Sequence, residues 1–449
     1  MSARRLIGST FVAAALAMVV APLQGGDHDF FDDPSVVVFT IEAPLQQLFD
    51  RGVRDDSFSV PGQLSFAGSS DRLDAELSVR GHTSRKECPF PKLKLKLKGD
   101  AGPFAKLHGV KINTHCGESP GEELSSDFGR LANEKSPWRE AAAYRIVEAA
   151  GARTPRVRPA RITYLDSSSG PPQQITRNSL IVEEDDDVRK RFDATDEIQP
   201  AAFTSARELF TPDDTARAAF TEAMIGNFDW CLMMAPGDGY RCDARRKLWN
   251  VTALRTPAGA IPVLGDFDLA GPVTGPHSWF EHTFPRGFSA SDVDTEVIAQ
   301  VQRTRTLFDR PLLDRMRQDF IARRDAIVRA IDGAPVDPRG AALARAYVDA
   351  FYRAIVDDRD FYRPVIARDG VRIFKDATSN QEACGSGDTA PPGTPLKELR
   401  RENGRAEVML FDALWRWAPP HECVPVHLVP VWIDASSISE DFPPRQRQP

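Results

Sequence analysis

The sequence lacks a basic excess, and after its first 26 residues it lacks any apolar run long enough to cross a bilayer. With 57 lysines and arginines against 64 aspartates and glutamates, the 449-residue chain has a formal net charge of −7. Proteins that bind nucleic acids or anionic membranes favour a basic surface, so this balance argues against both partners. The 41% of hydrophobic and 27% of charged residues are typical of a folded globular protein, and the length predicts two or three domains.

Residues 1–26 are the one exception and predict an export signal. A basic start at Arg4 and Arg5 precedes an apolar run rich in alanine and valine, and two glycines follow that run. The run has no basic stop on its far side, which favours cleavage over an uncleaved anchor. The sequence therefore predicts a secreted or periplasmic protein that has no transmembrane domain after signal cleavage.

No pair among the six cysteines has the C-x-x-C spacing of a zinc or redox site. An even number of cysteines in an exported chain predicts three disulfides. Many pairings are possible, and pairing of neighbours keeps each bond inside one predicted unit: Cys88–Cys116, Cys231–Cys242 and Cys384–Cys423.

Alternating apolar and polar residues predict several β-strands before residue 190, the most regular of them at PKLKLKLKG. There, three leucines fall on one face, and on the other face lie Lys92, Lys94, Lys96 and Lys98. The simpler interpretation is a half-exposed strand with solvated lysines. The alternative is that one lysine points into a cleft and holds nucleotide phosphates.

Helix signals dominate the middle of the chain. Ser136 and Pro137 are typical of a helix start, and Gly151 of its end. Thr211 caps a second predicted helix, which ends near Gly226, and residues 290–356 have the apolar spacing of a helical region.

Two acidic loops frame a predicted hairpin after the second helix. Asp229 follows the helix, and Asp266 follows the hairpin. Because a hairpin folds back on itself, both carboxylates can lie at one mouth. Phosphoryl transfer needs such a pair, with one carboxylate to orient the attacking hydroxyl and one to hold the metal that bridges the phosphates.

Taken in order, the pieces within residues 75–271 resemble the spore-coat protein H (CotH) kinase family, a secreted branch of the protein-kinase-like fold. SVRGHTSR and FPKLKLKL look like its Arg-Gly-x-(Ser/Thr)-Ser stretch and lysine strand. LIVEE is similar to its Leu-x-x-Glu segment, GNFDW to its Asn-x-Asp loop, and GDFDLAG to its Asp-Phe-Asp motif. The acidic pieces are the most specific part of the resemblance.

The resemblance implies an ATP- and Mg²⁺-dependent kinase and a role for each matching residue. Asp229 would position the acceptor hydroxyl, Asp266 would hold metal, and Asp268 would support a second metal or the loop. Lys92, which follows a proline as in the family pattern, or Lys96 would contact the phosphates.

Two further acidic residues are assigned to cofactor binding by the same resemblance. Glu140, on the helix that starts at Ser136, would pair with the phosphate lysine. Glu183 belongs to the LIVEE segment.

The chain departs from the family pattern at two points. There is no Gly-x-Gly-x-x-Gly loop, and the family's His-Asn after the loop aspartate is replaced by CDARRKLW. Asp243 or the more distant Asn250, expected within a strand, would then have to serve as the metal ligand. If neither reaches the metal, the alternative is a catalytically weak pseudokinase that acts as an envelope-associated binding or structural protein.

Past residue 357 the pattern becomes all-β and resembles a bacterial SH3-like module, with tryptophans at Trp415 and Trp417. The predicted fold is therefore α+β: a two-lobed protein-kinase-like domain at 30–356, with a β-rich N-lobe and a helical C-lobe, and a small SH3-like barrel at 357–440. Residues 441–449 are predicted to be a disordered tail. The expected substrate is a Ser/Thr hydroxyl of a protein or a cell-envelope component.

A serine hydrolase is the remaining candidate class, because residues 117–121 match G-x-S-x-G around Ser119. That motif works only when a helix follows the serine directly and the next backbone N–H serves as an oxyanion donor. Pro120 has no N–H, so the sequence disfavours this function.

Overall fold

A computed structural model describes residues 29–125, 128–234, 247–276, 293–367, 371–382, 389–390, 392–411 and 430–440. The predicted signal at 1–26, the tail at 441–449, Asp243, and Trp415 and Trp417 lie outside these ranges. So do Cys242, Cys384 and Cys423, and two of the three expected disulfides therefore stay predictions. Among the described helices, none combines the length and the apolar character needed to cross a membrane.

The N-terminal part is a closed seven-stranded barrel in the order β1-β2-β3-β4-β5-β7-β6. All neighbours are antiparallel except β1 and β6, whose parallel pairing closes the barrel. The strands are β1 Val37–Ala43, β2 Ser59–Phe66, β3 Arg72–Val79, β4 Leu93–Lys98, β5 Gly109–Asn113, β6 Val157–Asp166 and β7 Gln173–Val182. Helices α1 Leu45–Gly52 and α2 Ser84–Glu87 lie in the β1–β2 and β3–β4 connections.

Alternation along β4 places its leucines in the barrel core, as the sequence predicts. Leu93, Leu95 and Leu97 are buried, while Lys94, Lys96 and Lys98 are exposed. Solvated lysines are therefore the correct interpretation for the strand itself. They are the wrong one for Lys92, which lies just before the strand and is buried.

Helix α3 (Ser136–Ala149) connects the barrel to the helical part of the chain. It has proline in its first turn, and Gly151 follows its end with a φ of +80°, as expected. The other helices are α4 Asp185–Arg191, α5 Phe203–Ala206, α6 Pro212–Met224, α7 Gly271–Thr274, α8 Val293–Arg305, α9 Arg310–Asp332, α10 Pro338–Val356 and α11 Asp358–Phe361. Residues of α3, α6, α8, α9 and α10 share one large apolar core.

The predicted hairpin lies between α6 and α7 in sequence. Its strands are β11 (Val251–Thr256) and β12 (Gly259–Leu264), which pair antiparallel. Three two-residue strands accompany it: β8 Asp196–Glu197, β9 Cys231–Leu232 and β10 Leu248–Trp249. This arrangement follows the expected order of helix, acidic loop, hairpin and acidic loop.

The described C-terminal residues form short strands around a separate apolar core. They are β13 Val365–Ile366, β14 Val371–Arg372, β15 Thr389–Ala390, β16 Leu396–Glu402, β17 Arg405–Leu410, β18 Val431–Asp434 and β19 Ile438–Ser439. The largest sheet is β16-β17-β18. The chain is thus a mixed α/β protein, and an SH3-like barrel at this end stays a prediction.

Two expectations about the loop between β5 and α3 are decided by the structure. The disulfide Cys88–Cys116 is present and joins this loop to the end of α2. No helix follows Ser119 directly, since the next helix begins at Ser136. The geometry that a hydrolase nucleophile requires is therefore missing.

Candidate functional site

Lys92 is the centre of a buried charged cluster. Its backbone oxygen accepts a hydrogen bond of 2.9 Å from the N–H of Arg80, which fixes the chain at the start of β4. Its Nζ donates to Asp266 and lies 2.9 Å from Oδ2 of Asp268. Burial alone would lower the pKa of Lys92, but the two carboxylates outweigh it and raise that pKa. Lys92 is therefore held as a cation in contact with both aspartates of the GDFD segment.

Asp266 leaves strand β12 in an unusual backbone conformation, with a φ of +61°. Its N–H donates to the hydroxyl of Tyr144 at 3.0 Å, and the ring of Phe267 packs on Tyr144 with 4.6 Å between ring centroids. The carboxylate stays 40% exposed. Burial works to raise the pKa of Asp266, whereas Lys92 and then Arg130 lower it, and the result is about 2. This carboxylate is therefore ionised at neutral pH and open to a ligand.

Asp268 is buried and bound by a second cation, Arg130. The other nitrogens of Arg130 donate to Glu87 at 2.8 Å and to Thr83 Oγ1 at 2.8 Å. Oδ1 of Asp268 is buried and has no hydrogen-bond partner in the structure. The sequence reasoning missed Arg130, because nothing in its spacing marks it and only the folded β5–α3 loop brings it to the site.

Asp229 is buried and held by several hydrogen bonds. Its Oδ1 accepts from Trp249 Nε1 at 2.9 Å, its Oδ2 accepts from Asn250 Nδ2 at 3.1 Å, and its N–H donates to Asn227 Oδ1 at 3.0 Å. Asn250 lies between β10 and β11, rather than inside a strand as expected, and has a φ of +53°.

Asn250 also links the two acidic loops. Its Nδ2 donates to the backbone oxygen of Asp229 at 2.6 Å, and its own backbone oxygen accepts from the N–H of Gly265 at 3.2 Å. Because Gly265 directly precedes Asp266, the two predicted carboxylate loops meet at one place. Asp243, the other candidate for this position, lies outside the described residues.

The structure shows the surroundings of three further residues that the sequence assigns to cofactor binding. Both oxygens of Glu183 are engaged by the guanidinium groups of Arg156 and Arg191, so this buried carboxylate serves a structural ion-pair group. Lys96 points to solvent from the outer face of β4. Glu140 is buried near Lys92, but its hydrogen bond comes from Asn113 Nδ2 at 2.6 Å. Burial raises the pKa of Glu140 to about 7, against the opposing effect of Lys92.

A cavity of about 240 Å³ opens beside this cluster. Its polar lining comes from Arg80, Lys111, Asn113, Tyr144, Asp185, Asn250 and Asp266, and its apolar lining from Val182, Val251, Val263 and Leu264. A small-molecule site in a protein typically has a volume of about 300–1,000 Å³ and combines an apolar wall with a few convergent polar groups. The cavity has that composition at a slightly smaller volume.

The chain is similar to a bacterial kinase. One matching solved structure is the proinflammatory kinase CtkA of Helicobacter pylori, at 11% sequence identity, and the match covers 60% of this chain and 90% of that chain. Its TM-score is 0.31, too low to establish a shared fold, so the functional case rests on the geometry of the site. No family model matches the chain, and no curated protein matches it.

The oxygen ligands of the cluster fit a hard divalent cation. Asp266 offers an ionised, partly exposed carboxylate at the cavity, and Asp268 offers a buried oxygen without a partner. Within the described residues, no three His, Cys, Asp or Glu side chains surround a metal position. Mg²⁺ does not need such a group, since proteins commonly bind it through one or two carboxylates together with the phosphates of a substrate.

Proposed function

We propose that this protein is a secreted, ATP- and Mg²⁺-dependent phosphotransferase that acts on hydroxyl groups. The observation that carries the proposal is the cluster of Lys92, Asp266 and Asp268, linked through Asn250 to the buried Asp229 and lying beside an open cavity. Phosphoryl transfer depends mainly on positioning and on electrostatic stabilisation, and it uses a lysine, a metal aspartate and a hydroxyl-orienting aspartate.

Each side chain has a role that follows from its surroundings. Asp266 holds Mg²⁺, because it is ionised and exposed to the cavity. Lys92 balances the charge of the two aspartates and faces the phosphates of the donor. Asp229, fixed by Trp249 and Asn250, accepts the proton of the attacking hydroxyl. When bound, Mg²⁺ would neutralise the negative charge of the phosphates.

Secretion is supported by the disulfide Cys88–Cys116, because such bonds persist in oxidising compartments. The acceptor we propose is a Ser/Thr hydroxyl of a protein or a cell-envelope component. The export signal at residues 1–26 belongs to the same proposal.

The test is transfer of label from γ-labelled ATP by the purified protein. Asp229→Asn and Asp266→Asn are each expected to lower the rate by about 10²-fold or more, since each removes a charge that the transition state needs. Asp74→Asn, on the exposed outer face of β3, is the matched control and should transfer at the wild-type rate. Label that persists unchanged in both site variants would refute the proposal.

The second candidate is a nucleotide-binding protein without turnover. It is favoured by the direct contact between Lys92 and two carboxylates, which leaves this lysine already paired before any phosphate arrives. Calorimetric binding of ATP and Mg²⁺ by a wild-type protein that transfers no label would select this candidate over the enzyme.

A further inference from the structure

Arg80 lines the cavity beside the charged cluster. It follows directly on strand β3, and its N–H bonds to the backbone oxygen of Lys92. Its guanidinium Nη2 donates to Oδ1 of Asn113, and the side chain lines the cavity together with Asp266 and Asn250. Arg80 is thus fixed between the lysine of the cluster and the open space beside it.

Arg80 forms no ion pair with a carboxylate of the described residues, although its charge lowers the pKa values of the nearby Asp266 and Asp185. The other cation that lines the cavity, Lys111, is paired with Asp185 at 2.6 Å, and Lys92 is paired with two aspartates. The Nε of Arg80 is buried and makes no hydrogen bond in the described structure. Burying a hydrogen-bond donor costs free energy unless an acceptor forms a hydrogen bond with it.

The hydrogen bonds around Arg80 also orient it. Asn113 accepts from Arg80 through Oδ1 and donates through Nδ2 to Glu140 at 2.6 Å. Because Glu140 is buried on helix α3, the amide of Asn113 cannot rotate without losing one of these bonds. The guanidinium plane is therefore fixed before any ligand arrives, which lowers the entropic cost of binding.

We propose that Arg80 is the phosphate anchor of the donor site, and that it binds a phosphate or pyrophosphate group that enters the cavity. The inference rests on the proposed function and adds to it the residue that holds the donor. A planar guanidinium matches phosphate oxygens with two parallel hydrogen bonds, which an ammonium group cannot do. Arg80 therefore takes the anchoring role, while Lys92 stays with the aspartates.

The test compares the binding of pyrophosphate, ADP and adenosine to the full chain by isothermal calorimetry. Arg80→Gln keeps a donor for Asn113 but removes the charge, and it should weaken pyrophosphate and ADP binding by about 10- to 100-fold without changing adenosine binding. Arg80→Lys keeps the charge but loses the two-point contact and should weaken binding by about 10-fold.

Arg85→Gln is the matched control. Arg85 is five residues further along and also has a buried Nε without a hydrogen-bond partner, but its guanidinium bonds to Asp56 and to the backbone of Val79, away from the cavity. This variant is expected to bind all three ligands as the wild type does. Should Arg80→Gln fail to fold, as judged by thermal unfolding, Arg80→Lys decides the question.

The outcomes separate this inference from the proposed function. If the wild type transfers phosphate and the Arg80 variants bind pyrophosphate with unchanged affinity, the anchoring role of Arg80 is refuted and the phosphotransferase function is not. Pyrophosphate binding that depends on Arg80, in a protein that transfers no phosphate to any hydroxyl, supports the anchor and overturns the phosphotransferase. A wild-type protein that binds neither pyrophosphate nor ADP overturns the anchor.

Discussion

At the scale of the residue, Asn250 and Asp266 both adopt the left-handed backbone conformation, with φ values of +53° and +61°. Residues other than glycine rarely do so, although Asn and Asp tolerate it better than most. Such conformations persist where the surrounding structure over-determines them, and they cluster at functional sites. The two turns that bring the acidic loops together therefore store backbone strain in the same place where we assign the chemistry.

Two substitutions of Asn250 distinguish the contribution of its side chain from that of its backbone conformation. Asn250→Gly keeps the left-handed conformation but loses both hydrogen bonds to Asp229, so phosphate transfer should fall by about 10²-fold, with a change in stability of about 1 kcal/mol or less. Asn250→Ala should lose the same activity and also about 1–2 kcal/mol of stability. Initial rates and urea unfolding measure the two effects. Full activity in the glycine variant would show that the amide is not needed.

His115 should make stability depend on pH. Its side chain is 1% exposed, its Nδ1 lacks a hydrogen-bond partner in the described structure, and burial lowers its pKa to about 4. As pH falls from the unfolded value of about 6.5 towards 4, the unfolded chain binds a proton that the folded chain excludes. The free energy of unfolding should therefore drop by up to about 1.4 kcal/mol per pH unit from this group.

The measurement for His115 is urea unfolding of wild type and His115→Gln at several pH values between 4 and 7. The difference in stability between the two proteins should shrink or change in favour of the variant as pH falls. His108→Gln, at an exposed histidine, is the control and should follow the wild-type curve. Parallel curves for wild type and His115→Gln would contradict the prediction.

Local motifs mark Lys92, Asp229 and Asp266 in the sequence, and the structure brings Lys92 into contact with Asp266 and links Asp229 to that loop through Asn250. The sequence did not identify Arg130, whose position depends on how the long β5–α3 loop folds back onto Asp268. Alternation also did not separate Lys92 from Lys96, because it puts both on the same face of the predicted strand, whereas Lys92 in fact lies just before β4. Only the position of the neighbouring loops, which cover Lys92 and leave Lys96 exposed, makes that distinction.

At the scale of the element, helix α3 is fixed to the helical part through Arg139. This side chain is fully buried and donates to Asp337 at 2.7 and 2.8 Å, to Glu122 at 2.8 and 3.0 Å, and to the backbone oxygen of Val273 at 3.1 Å. It therefore connects the N-terminus of α10 and the end of α7 to α3. Asp337 is paired with Arg139, whereas Glu122 also pairs with Lys135 and Arg339.

Arg139→Met is expected to lower the free energy of unfolding by about 3–5 kcal/mol, because it leaves the partly buried Asp337 without its cation and removes one of the cations that Glu122 contacts. Arg345→Met is the control: Arg345 pairs with Asp332 at the surface, and its loss should cost no more than about 1 kcal/mol. Urea unfolding checks both. Equal effects of the two substitutions would show that α3 is held mainly by its apolar contacts.

The disulfide between Cys88 and Cys116 should stabilise both the fold and the site. It closes a loop across 28 residues, so removing it in a Cys88→Ala, Cys116→Ala double variant should cost about 3–4 kcal/mol by loss of chain constraint. Cys88 directly follows Glu87, whose carboxylate accepts a hydrogen bond from Arg130. Removing the disulfide should therefore also disturb Arg130 and lower the rate of phosphate transfer. Urea unfolding measures the change in stability, and the labelled-ATP assay measures the change in phosphate transfer. An unchanged free energy of unfolding in the double variant would contradict the predicted stabilisation.

Elements with strong local signals were predictable, and one was not. Helix α6 begins at its predicted cap Thr211, helix α3 has its proline in the first turn, and the hairpin of β11 and β12 forms around its turn residues. Helix α4 begins within the acidic run from Glu183 to Asp187, where the sequence analysis predicts no helix. Its three aspartates lie in the first turn and its basic residues in the last, which is the arrangement that the helix dipole favours. Charge order outweighed the turn propensity of aspartate.

At the scale of the whole molecule, the β-rich N-terminal part was predictable, but its closure was not. Alternation shows which residues face a core, and it correctly placed the leucines of β4 inside. It carries no information on which strand pairs with which, because register between distant strands depends on contacts that no local pattern encodes. The parallel pair of β1 and β6 and the order β5-β7-β6 are the features that sequence periodicity could not supply.

The parallel pairing of β1 with β6 limits when the barrel can close during synthesis of the chain. Val37 pairs with Ala160, so the first strand leaves the ribosome long before its second neighbour exists. Contacts between such distant residues slow folding, and an unpaired strand edge invites association with other chains in the meantime. The barrel therefore stays open at one edge until β6 has been synthesised.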